Sequence, residues 1–120
     1  MNNRILITGT NGSLGAFLVN KYENPICITR ENPLTDDIVS EGVDTIIHCA
    51  FNTNWKELQA VSKECFEDNI DLTYSLVKIP HKRFIYISSI QVAPHSLTPY
   101  AIFKKIAEDI IRDNCDNHLI

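Results

Sequence analysis

The sequence predicts a doubly wound α/β domain, with a parallel sheet of about four strands and helices on both faces. Three observations predict this class. Short apolar runs rich in β-branched residues recur at residues 5–8, 26–29, 43–50 and 82–89, as expected of buried parallel strands. Segments with apolar residues at helical spacing separate several of these runs. The first run is followed at once by three glycines spaced three apart, at the point where a strand turns into a helix.

Composition indicates one globular domain over residues 1–120, because 44% of the residues are hydrophobic and 22% are charged. The net charge of −4 argues against a nucleic-acid or anionic-membrane partner. Cys27, Cys49, Cys65 and Cys115 show neither CxxC pairing nor zinc spacing, so we expect mostly buried, reduced thiols, no bound metal and a cytoplasmic protein. No signal-peptide pattern and no stretch long enough for a membrane span occur, so we expect no membrane partner.

The segment TGTNGSLG, residues 8–15, predicts a site for the pyrophosphate of a dinucleotide. Gly9 suits the tight turn, Gly12 allows close approach of the backbone to a pyrophosphate, and Gly15 allows the helix to pack against the strand. A helix over residues 13–22, with Leu14, Phe17 and Leu18 at helical spacing, would present its N-terminus to the phosphates. A plain glycine turn is the alternative. The candidate cofactor-binding residues of this segment are Gly9, Thr10, Asn11, Gly12, Ser13, Leu14 and Gly15.

The same segment resembles the TGxxGxxG signature of the extended short-chain dehydrogenase/reductase family, the NAD(P)-dependent epimerase/dehydratase group. Three later segments resemble the pattern of that family in the same order: VDTIIHCAF at residues 43–51, ISSIQVAP at residues 87–94 and YAIFK at residues 100–104. The resemblance covers essentially the whole chain. It implies a Rossmann fold and a bound NAD or NADP.

The second predicted strand, residues 26–29, closes at Arg30, which bears on the choice of cofactor. In dinucleotide-binding folds, an acid at this point binds the 2′-hydroxyl of NAD, whereas an arginine accommodates the 2′-phosphate of NADP. We therefore expect NADP to be preferred, with NAD as the other possibility. A solvated surface arginine is the alternative interpretation of Arg30. The polar stretch that follows has room for a short helix over residues 35–41 and for little or no strand.

The strand over residues 43–50 resembles the segment DxVIHxAA of the family, with Phe51 in place of the second alanine. The resemblance places Cys49, Ala50 and Phe51 against the ribose and nicotinamide side of the cofactor. His48 lies at a buried strand end without any metal-ligand spacing. We expect His48 to be a hydrogen-bonded core histidine.

The hydrophobic pattern of residues 54–79 predicts one long helix or two joined helices, which end at Pro80. Its apolar stripe is formed by Leu58, Val61, Cys65, Leu72 and Leu76. Asn69 lies on this stripe, in a segment that resembles NVxGT of the family with Leu72 at the glycine. Because a polar side chain on a buried face needs a partner, we expect Asn69 to hydrogen bond structurally or toward the cofactor.

Tyr100 and Lys104 lie four residues apart on a helix that Thr98 caps and Pro99 begins. The broad apolar face predicted for this helix consists of Ile102, Phe103, Ile106, Ile110 and Ile111. An ammonium beside a phenol favours the phenolate, so it lowers a pKa that is ordinarily about 10. The resemblance implies that Tyr100 is the acid/base, that Ser89 hydrogen bonds the same substrate oxygen, and that Lys104 holds the nicotinamide ribose.

Two departures from the family pattern bear on function. Ser89 and Tyr100 are only eleven residues apart, and VAP at residues 92–94 replaces VYG, so we expect a different turn after the serine. Residues 116–120 read as the start of another parallel strand, so we expect a truncated sheet without the C-terminal substrate domain.

These observations leave three classes of function. The first is an epimerase/dehydratase or reductase that transfers hydride on a nucleotide sugar or a related carbonyl or hydroxyl substrate. The second is a non-catalytic NAD(P)-binding module or remnant. The third, an interaction protein without a dinucleotide, leaves the glycine loop without a purpose. An open sheet edge also favours a homo-oligomer.

Overall fold

The computed structural model describes residues 4–89 and 98–120, which form a five-stranded parallel sheet and its helices. The strands are β1 (Ile5–Thr8), β2 (Ile26–Ile28), β3 (Thr45–His48), β4 (Arg83–Tyr86) and β5 (His118–Leu119). The α-helices are α1 (Ser13–Val19), α2 (Asp36–Glu41), α3 (Trp55–Ala60), α4 (Lys63–Phe66), α5 (Leu72–Val77) and α6 (Pro99–Asn114). A π-helical turn, Glu67–Asp71, joins α4 to α5 and is called the π segment below.

The strand order β2-β1-β3-β4-β5 makes the fold doubly wound, as predicted. The chain moves from β1 to β2 in one direction, and all later crossovers run in the other. Because crossovers between parallel strands are right-handed, α1 lies on one face and the later helices lie on the other. The strand expected at residues 116–120 forms as β5 beside β4, so the sheet has one strand more than the four predicted.

The main core lies between the sheet and the helices α2, α5 and α6. Leu6, Ile46 and Phe84 are in register on three adjacent strands, so their side chains share one face of the sheet, where they are completely buried. They pack with Leu76 of α5 and Ile111 of α6. Burial of each such side chain contributes about 1.5–3 kcal/mol, so this cluster fixes α6 against the sheet.

Residues 54–79, predicted as one long helix or two joined helices, are interrupted at Val61, and the prediction that Val61 lies on the apolar stripe is wrong. Val61 has a φ of 50° and is 56% exposed. Ser62 then begins α4 by accepting a hydrogen bond from the Cys65 amide at 3.1 Å. A local capping interaction therefore overrides the continuous helical pattern, while Leu58 and Cys65 on either side are buried as predicted.

The apolar faces of two helices also differ from the prediction. Helix α1 ends at Val19 instead of residue 22, and its buried residue is Gly15, whereas Leu14 and Phe17 are 41% and 57% exposed. The close contact of α1 is made at Gly15, against the backbone of Gly9 and Thr10 in the glycine loop.

On α6, the buried face includes Phe103 and Ile111 but also the charged residues Lys104 and Glu108, whereas Ile102 and Ile106 are exposed. Hydrophobicity alone could not predict that two charged side chains would occupy the inner face. The predicted start of this helix is confirmed, because Thr98 Oγ1 accepts a hydrogen bond from the Ala101 amide at 3.2 Å.

Candidate cofactor-binding and catalytic site

A cleft of about 590 Å³ opens at the carboxyl ends of the strands, where the strand order reverses between β1 and β3. Its walls come from the glycine loop, the segment after β2, the segment after β3 and the π segment. The lining residues used below are Gly9, Asn11, Gly12, Arg30, Glu31, Cys49, Ala50, Phe51, Asn52, Glu67 and Asp68. In open α/β sheets this is the position at which ligands bind.

The glycine loop makes the first wall of the cleft. Gly9 has a φ of 71°, and a Cβ on it would lie 2.8 Å from the Ala50 amide nitrogen, so only glycine fits there. The Gly12 amide donates to the Gly9 carbonyl at 3.0 Å and closes the turn. A Cβ on Gly12 would meet only the Gly9 carbonyl oxygen, at 3.3 Å, so this position otherwise faces open space. Thr10 of the loop, and Ser13 and Leu14 in the first turn of α1, are not among the described residues that line the cleft.

A buried hydrogen-bond chain ties the glycine loop to the turn after β3. Thr8 Oγ1 accepts hydrogen bonds from the amides of Cys49 and Ala50, both at 3.0 Å, and lies 2.7 Å from His48 Nδ1. His48 Nε2 lies 2.8 Å from Thr73 Oγ1, which itself donates to the Asn69 carbonyl at 3.0 Å. His48 Nε2 must therefore carry the proton, and Nδ1 accepts from the Thr8 hydroxyl.

His48 is thus a core histidine, as expected, since both ring nitrogens are used within the fold. Burial lowers the pKa of His48 to about 3, and the positive charge of Lys104 acts in the same direction. The imidazole is therefore neutral at physiological pH. Its function in this structure is to position the turn that carries Cys49 and Ala50.

Asn69 anchors the next part of the same turn from the π segment. Its side chain is buried; Oδ1 accepts from the Asn52 amide at 2.6 Å, and Nδ2 donates to the Asn52 carbonyl at 3.2 Å. The prediction that this polar residue on an apolar stripe has a structural hydrogen-bonding partner is therefore confirmed. π-helical turns often occur at functional sites, and here the turn brings Asp68 to the cleft while Asn69 holds Asn52, which also borders it.

Arg30 lines the cleft but lies two residues beyond the end of β2, which stops at Ile28 instead of residue 29. Its guanidinium forms an ion pair with Asp68 on the opposite wall. The neighbouring Glu31 carboxylate accepts a hydrogen bond from Asn11 Nδ2 at 3.4 Å. Arg30 is therefore more than a solvated surface arginine, because it connects two walls of the cleft.

Lys104 lies behind the other end of the cleft and is only 4% exposed. Its Nζ donates to the Ile87 carbonyl at 2.8 Å and lies 4.3 Å from the ring centre of Phe51 and 4.8 Å from that of Tyr86. Burial lowers the pKa of Lys104 to about 8, against the opposing effects of Cys49 and Glu108. The ammonium is held by a carbonyl and aromatic faces.

Tyr100 and Lys104 are brought to the same place, one turn apart on α6. The Tyr100 ring meets Phe51 edge-on at 5.1 Å between ring centres, and Lys104 Nζ lies 6.0 Å from the Tyr100 ring centre. Ser89 is half-buried in the segment after β4, two residues beyond the carbonyl that Lys104 contacts. The turn predicted to differ, at residues 92–94, lies outside the described residues.

Sequence reasoning missed a polar group beneath these residues. Glu108 is buried one turn after Lys104, accepts a hydrogen bond from Ser88 Oγ and pairs with Arg112 at 3.0 Å. The Tyr86 hydroxyl is also buried and has no hydrogen-bond partner within the described ranges. Burial is the main cause that raises the pKa of Tyr86, and the nearby Glu108 and Tyr100 act in the same direction. The sequence held one signal of this buried group: Lys104 and Glu108 are four residues apart, a spacing that places two side chains on the same face of a helix.

A metal site and a membrane-spanning helix are both absent from residues 4–89 and 98–120. This part of the chain contains no cluster of three or more His, Cys, Asp or Glu side chains that could hold a metal ion. None of its helices combines the length and the apolar character needed to cross a membrane. Cys65 and Cys115 are buried, whereas Cys27 and Cys49 are only partly buried.

Solved structures with the same fold were found over nearly the whole chain. Two dTDP-4-dehydrorhamnose reductases, from Bacillus anthracis in complex with NADP and from Yersinia enterocolitica, superpose with TM-scores of 0.81 and 0.80 at 20% and 23% identity. Each match covers 98% of this chain and 52% or 50% of the other. A UDP-glucuronic acid 4-epimerase from Bacillus cereus, in complex with NAD, gives a TM-score of 0.70 at 19% identity over 95% of this chain and 52% of its own. This chain therefore spans about half the length of these proteins.

A comparison with curated protein sequences gave no significant match. The family model described as the NAD dependent epimerase/dehydratase family, in contrast, matches residues 5–118, from the first strand to the last. The matched range contains the glycine loop, the turn after β3 and the YxxxK segment of α6. The chain belongs to the NAD dependent epimerase/dehydratase family.

Proposed function

We propose that this chain binds NADP(H) or NAD(H) in the cleft at the carboxyl ends of β1 and β3 and supplies the cofactor-binding part of an epimerase, dehydratase or reductase. The observation that carries the proposal is the cleft itself, which the Gly9–Gly12 turn borders at the point where the strand order reverses. Family membership supports it, as do structures of the same fold that were solved in complex with NADP or NAD.

The residues present fit such a cofactor. The open side of Gly12 leaves room for a pyrophosphate against the backbone. The turn at Cys49, Ala50 and Phe51 borders the same cleft and leads toward Lys104, so the nicotinamide end would lie on this side. Arg30 borders the opposite end, where it would favour the 2′-phosphate of NADP. A bound nicotinamide supplies hydride transfer.

Three residues of this chain would act on the substrate. Tyr100 would exchange a proton with a substrate hydroxyl or carbonyl oxygen, and Ser89 would hydrogen bond that same oxygen. Lys104 would hold the nicotinamide ribose. Its Nζ lies 6.0 Å from the centre of the Tyr100 ring, so the two residues belong to one site.

The proposed substrate is a nucleotide sugar or a related carbonyl or hydroxyl compound. One structure of the same fold, MoeE5, is described in complex with UDP-glucose and NAD, with a TM-score of 0.76 at 19% identity. The scattered spacing of the four cysteines, without a CxxC pair, fits the reducing conditions of the cytoplasm, the location that we propose. A homo-oligomer formed through an open edge of the sheet, at β2 or β5, is part of the same proposal.

A non-catalytic NAD(P)-binding module is the second candidate. The observation that favours it is the short separation of Ser89 and Tyr100, which are only eleven residues apart and so depart from the family pattern. The cleft described above would bind the dinucleotide in either case. The two functions therefore differ only in turnover.

Calorimetric titration of the folded chain with NADPH and with NADH tests the shared part of the proposal. We expect both to bind, NADPH more tightly, and failure of both to bind contradicts the proposal. Turnover on a panel of nucleotide sugars and carbonyl compounds then separates the two candidates. Tyr100→Phe should bind cofactor as the wild type does and lose turnover, whereas Tyr74→Phe, at a half-exposed tyrosine of α5, should retain both. Cofactor binding without any turnover favours the non-catalytic module.

A further inference from the structure

We propose that Asp68 is a specificity-determining residue, because it competes with the 2′-phosphate of NADP for Arg30. The inference rests on the proposed function, since it concerns the adenosine end of the same cleft. It differs from the expectation for an arginine after β2, because the arginine of this chain already has an acidic partner on the facing wall.

The ion pair spans the cleft. Arg30 follows β2 and Asp68 belongs to the π segment, 38 residues later, yet both line one cavity. Their exposures are unequal: the Asp68 side chain is 27% exposed, and that of Arg30 is 71% exposed. Asp68 is therefore the fixed member of the pair, and Arg30 is a long arm that reaches across to it.

Asp68 is held in place independently of Arg30. Its Oδ2 also accepts a hydrogen bond from Asn52 Nδ2 at 3.0 Å. The backbone of Asn52 is in turn held by both side-chain atoms of Asn69, at 2.6 and 3.2 Å. If Arg30 turns toward a ligand, Asp68 stays in the wall with its negative charge facing the cleft.

The charges of the residues that line the cleft determine how the Arg30–Asp68 pair affects the affinity for NADP(H) relative to NAD(H). Arg30 is the one cationic residue among the described residues that line it, whereas Glu31, Glu67 and Asp68 are acidic. A 2′-phosphate must take Arg30 away from Asp68 and then lie near the released carboxylate. The 2′-hydroxyl of NAD is neutral and requires no such exchange. Asp68 therefore lowers the affinity for NADP(H) more than that for NAD(H).

The experiment is a calorimetric comparison of NADPH and NADH binding by the full chain and its variants. Asp68→Asn should raise NADPH affinity about tenfold and NADH affinity about twofold or less, because only the phosphate competes for Arg30. Glu67→Gln is the matched control: it removes the neighbouring acid of the same cleft, which pairs with Lys63 at 3.7 Å. It should raise NADPH affinity only about threefold or less.

A double-mutant cycle identifies the pair itself. In an Arg30→Gln background, Asp68→Asn should change NADPH affinity no more than Glu67→Gln does. Asp68→Ser provides a second variant if circular dichroism shows that Asp68→Asn is unfolded. Equal effects of Asp68→Asn and Glu67→Gln, or a tenfold gain that persists without Arg30, overturn this inference alone. Failure of the folded wild type to bind either nucleotide overturns the proposed function and this inference with it.

Discussion

Gly15 and Gly9 approach so closely that a Cβ on Gly15 would lie 2.1 Å from the Gly9 carbonyl oxygen. Atoms at that distance overlap, and the obstructing atom belongs to the backbone, which cannot swing aside as a flexible side chain does. Helix α1 can therefore lie against the glycine loop only while residue 15 has no side chain. The third glycine of the motif is thus a requirement of packing, separate from any contact with a cofactor.

We expect Gly15→Ala to destabilise the fold by roughly 2 kcal/mol or more, because α1 must move away from the loop. Gly12→Ala is the matched control within the same motif, since its Cβ would meet only the Gly9 carbonyl oxygen, at 3.3 Å. It should lower the free energy of unfolding by less than about 1 kcal/mol while weakening binding of NADPH and NADH. Urea denaturation and titration of both variants measure these effects. Equal loss of stability in the two variants would contradict the assignment of the packing role to Gly15.

Acid sensitivity is expected from His48. The unfolded chain protonates this histidine below a pH of about 6.5, whereas the folded chain, in which its pKa is about 3, does not. Between these values the unfolded state binds more protons, so the free energy of unfolding falls as the pH is lowered. This histidine contributes up to about 1.4 kcal/mol per pH unit to that fall.

His48→Gln tests this dependence, because glutamine offers one donor and one acceptor but does not titrate in this range. Between pH 7 and about pH 4.5, the variant should lose roughly 2 kcal/mol less stability than the wild type in urea denaturation. His81→Gln is the control, since it removes a histidine from the loop before β4, at the other end of the sheet. An acid dependence that is the same for wild type and His48→Gln would show that the buried imidazole is not its source.

The buried ammonium of Lys104 predicts a change in the alkaline range. The pKa of Lys104 is about 8 in the folded chain, against 10.5 for an ordinary lysine. Between these values the unfolded state binds the extra proton, so this residue makes the fold more stable as the pH rises. Below a pH of about 8, Lys104 is charged in the folded chain, and the burial of this charge then lowers the stability by its full amount.

Lys104→Met should therefore remove the part of the alkaline gain that Lys104 supplies. Burial raises the pKa values of Cys49, Cys115 and Tyr86, which has the opposite effect on stability at high pH. The measured quantity is consequently the difference between wild type and variant in guanidinium denaturation from about pH 7 to pH 9. Lys105→Met, at the exposed neighbour that pairs with Asp109, is the control. A difference that does not change with pH would contradict the prediction.

The sequence was sufficient for features that depend on neighbouring residues. The strand–glycine–helix motif, the Thr98 cap and the positions of the first four strands all depend on spacings of a few residues. Contacts between distant segments could not be predicted in this way. Arg30 could be placed at the cleft from its position after β2, but its partner Asp68 is 38 residues away on a π-helical turn that no propensity indicates.

The same limit explains the errors on the helices. Val61 continues an apolar pattern, yet it takes a positive φ because Ser62 starts a new helix after it. Lys104 and Glu108 occupy inner positions of α6 because a carbonyl, aromatic rings, Ser88 and Arg112 are there to meet them. Hydrophobic periodicity carries no information about such partners.

Asn69 provides the last prediction, because its two hydrogen bonds to the Asn52 backbone connect the turn after β3 to the π segment. Asn69→Ala leaves the partly buried amide and carbonyl of Asn52 without these partners and should cost roughly 1–3 kcal/mol of stability. Asn114→Ala removes an exposed side chain that donates to the Ile110 carbonyl and should cost less than about 1 kcal/mol. Cofactor affinity should fall in the first variant alone, since the turn borders the cleft and also carries the partner of Asp68. Stability and affinity that respond equally in both variants would show that Asn69 does not position the turn.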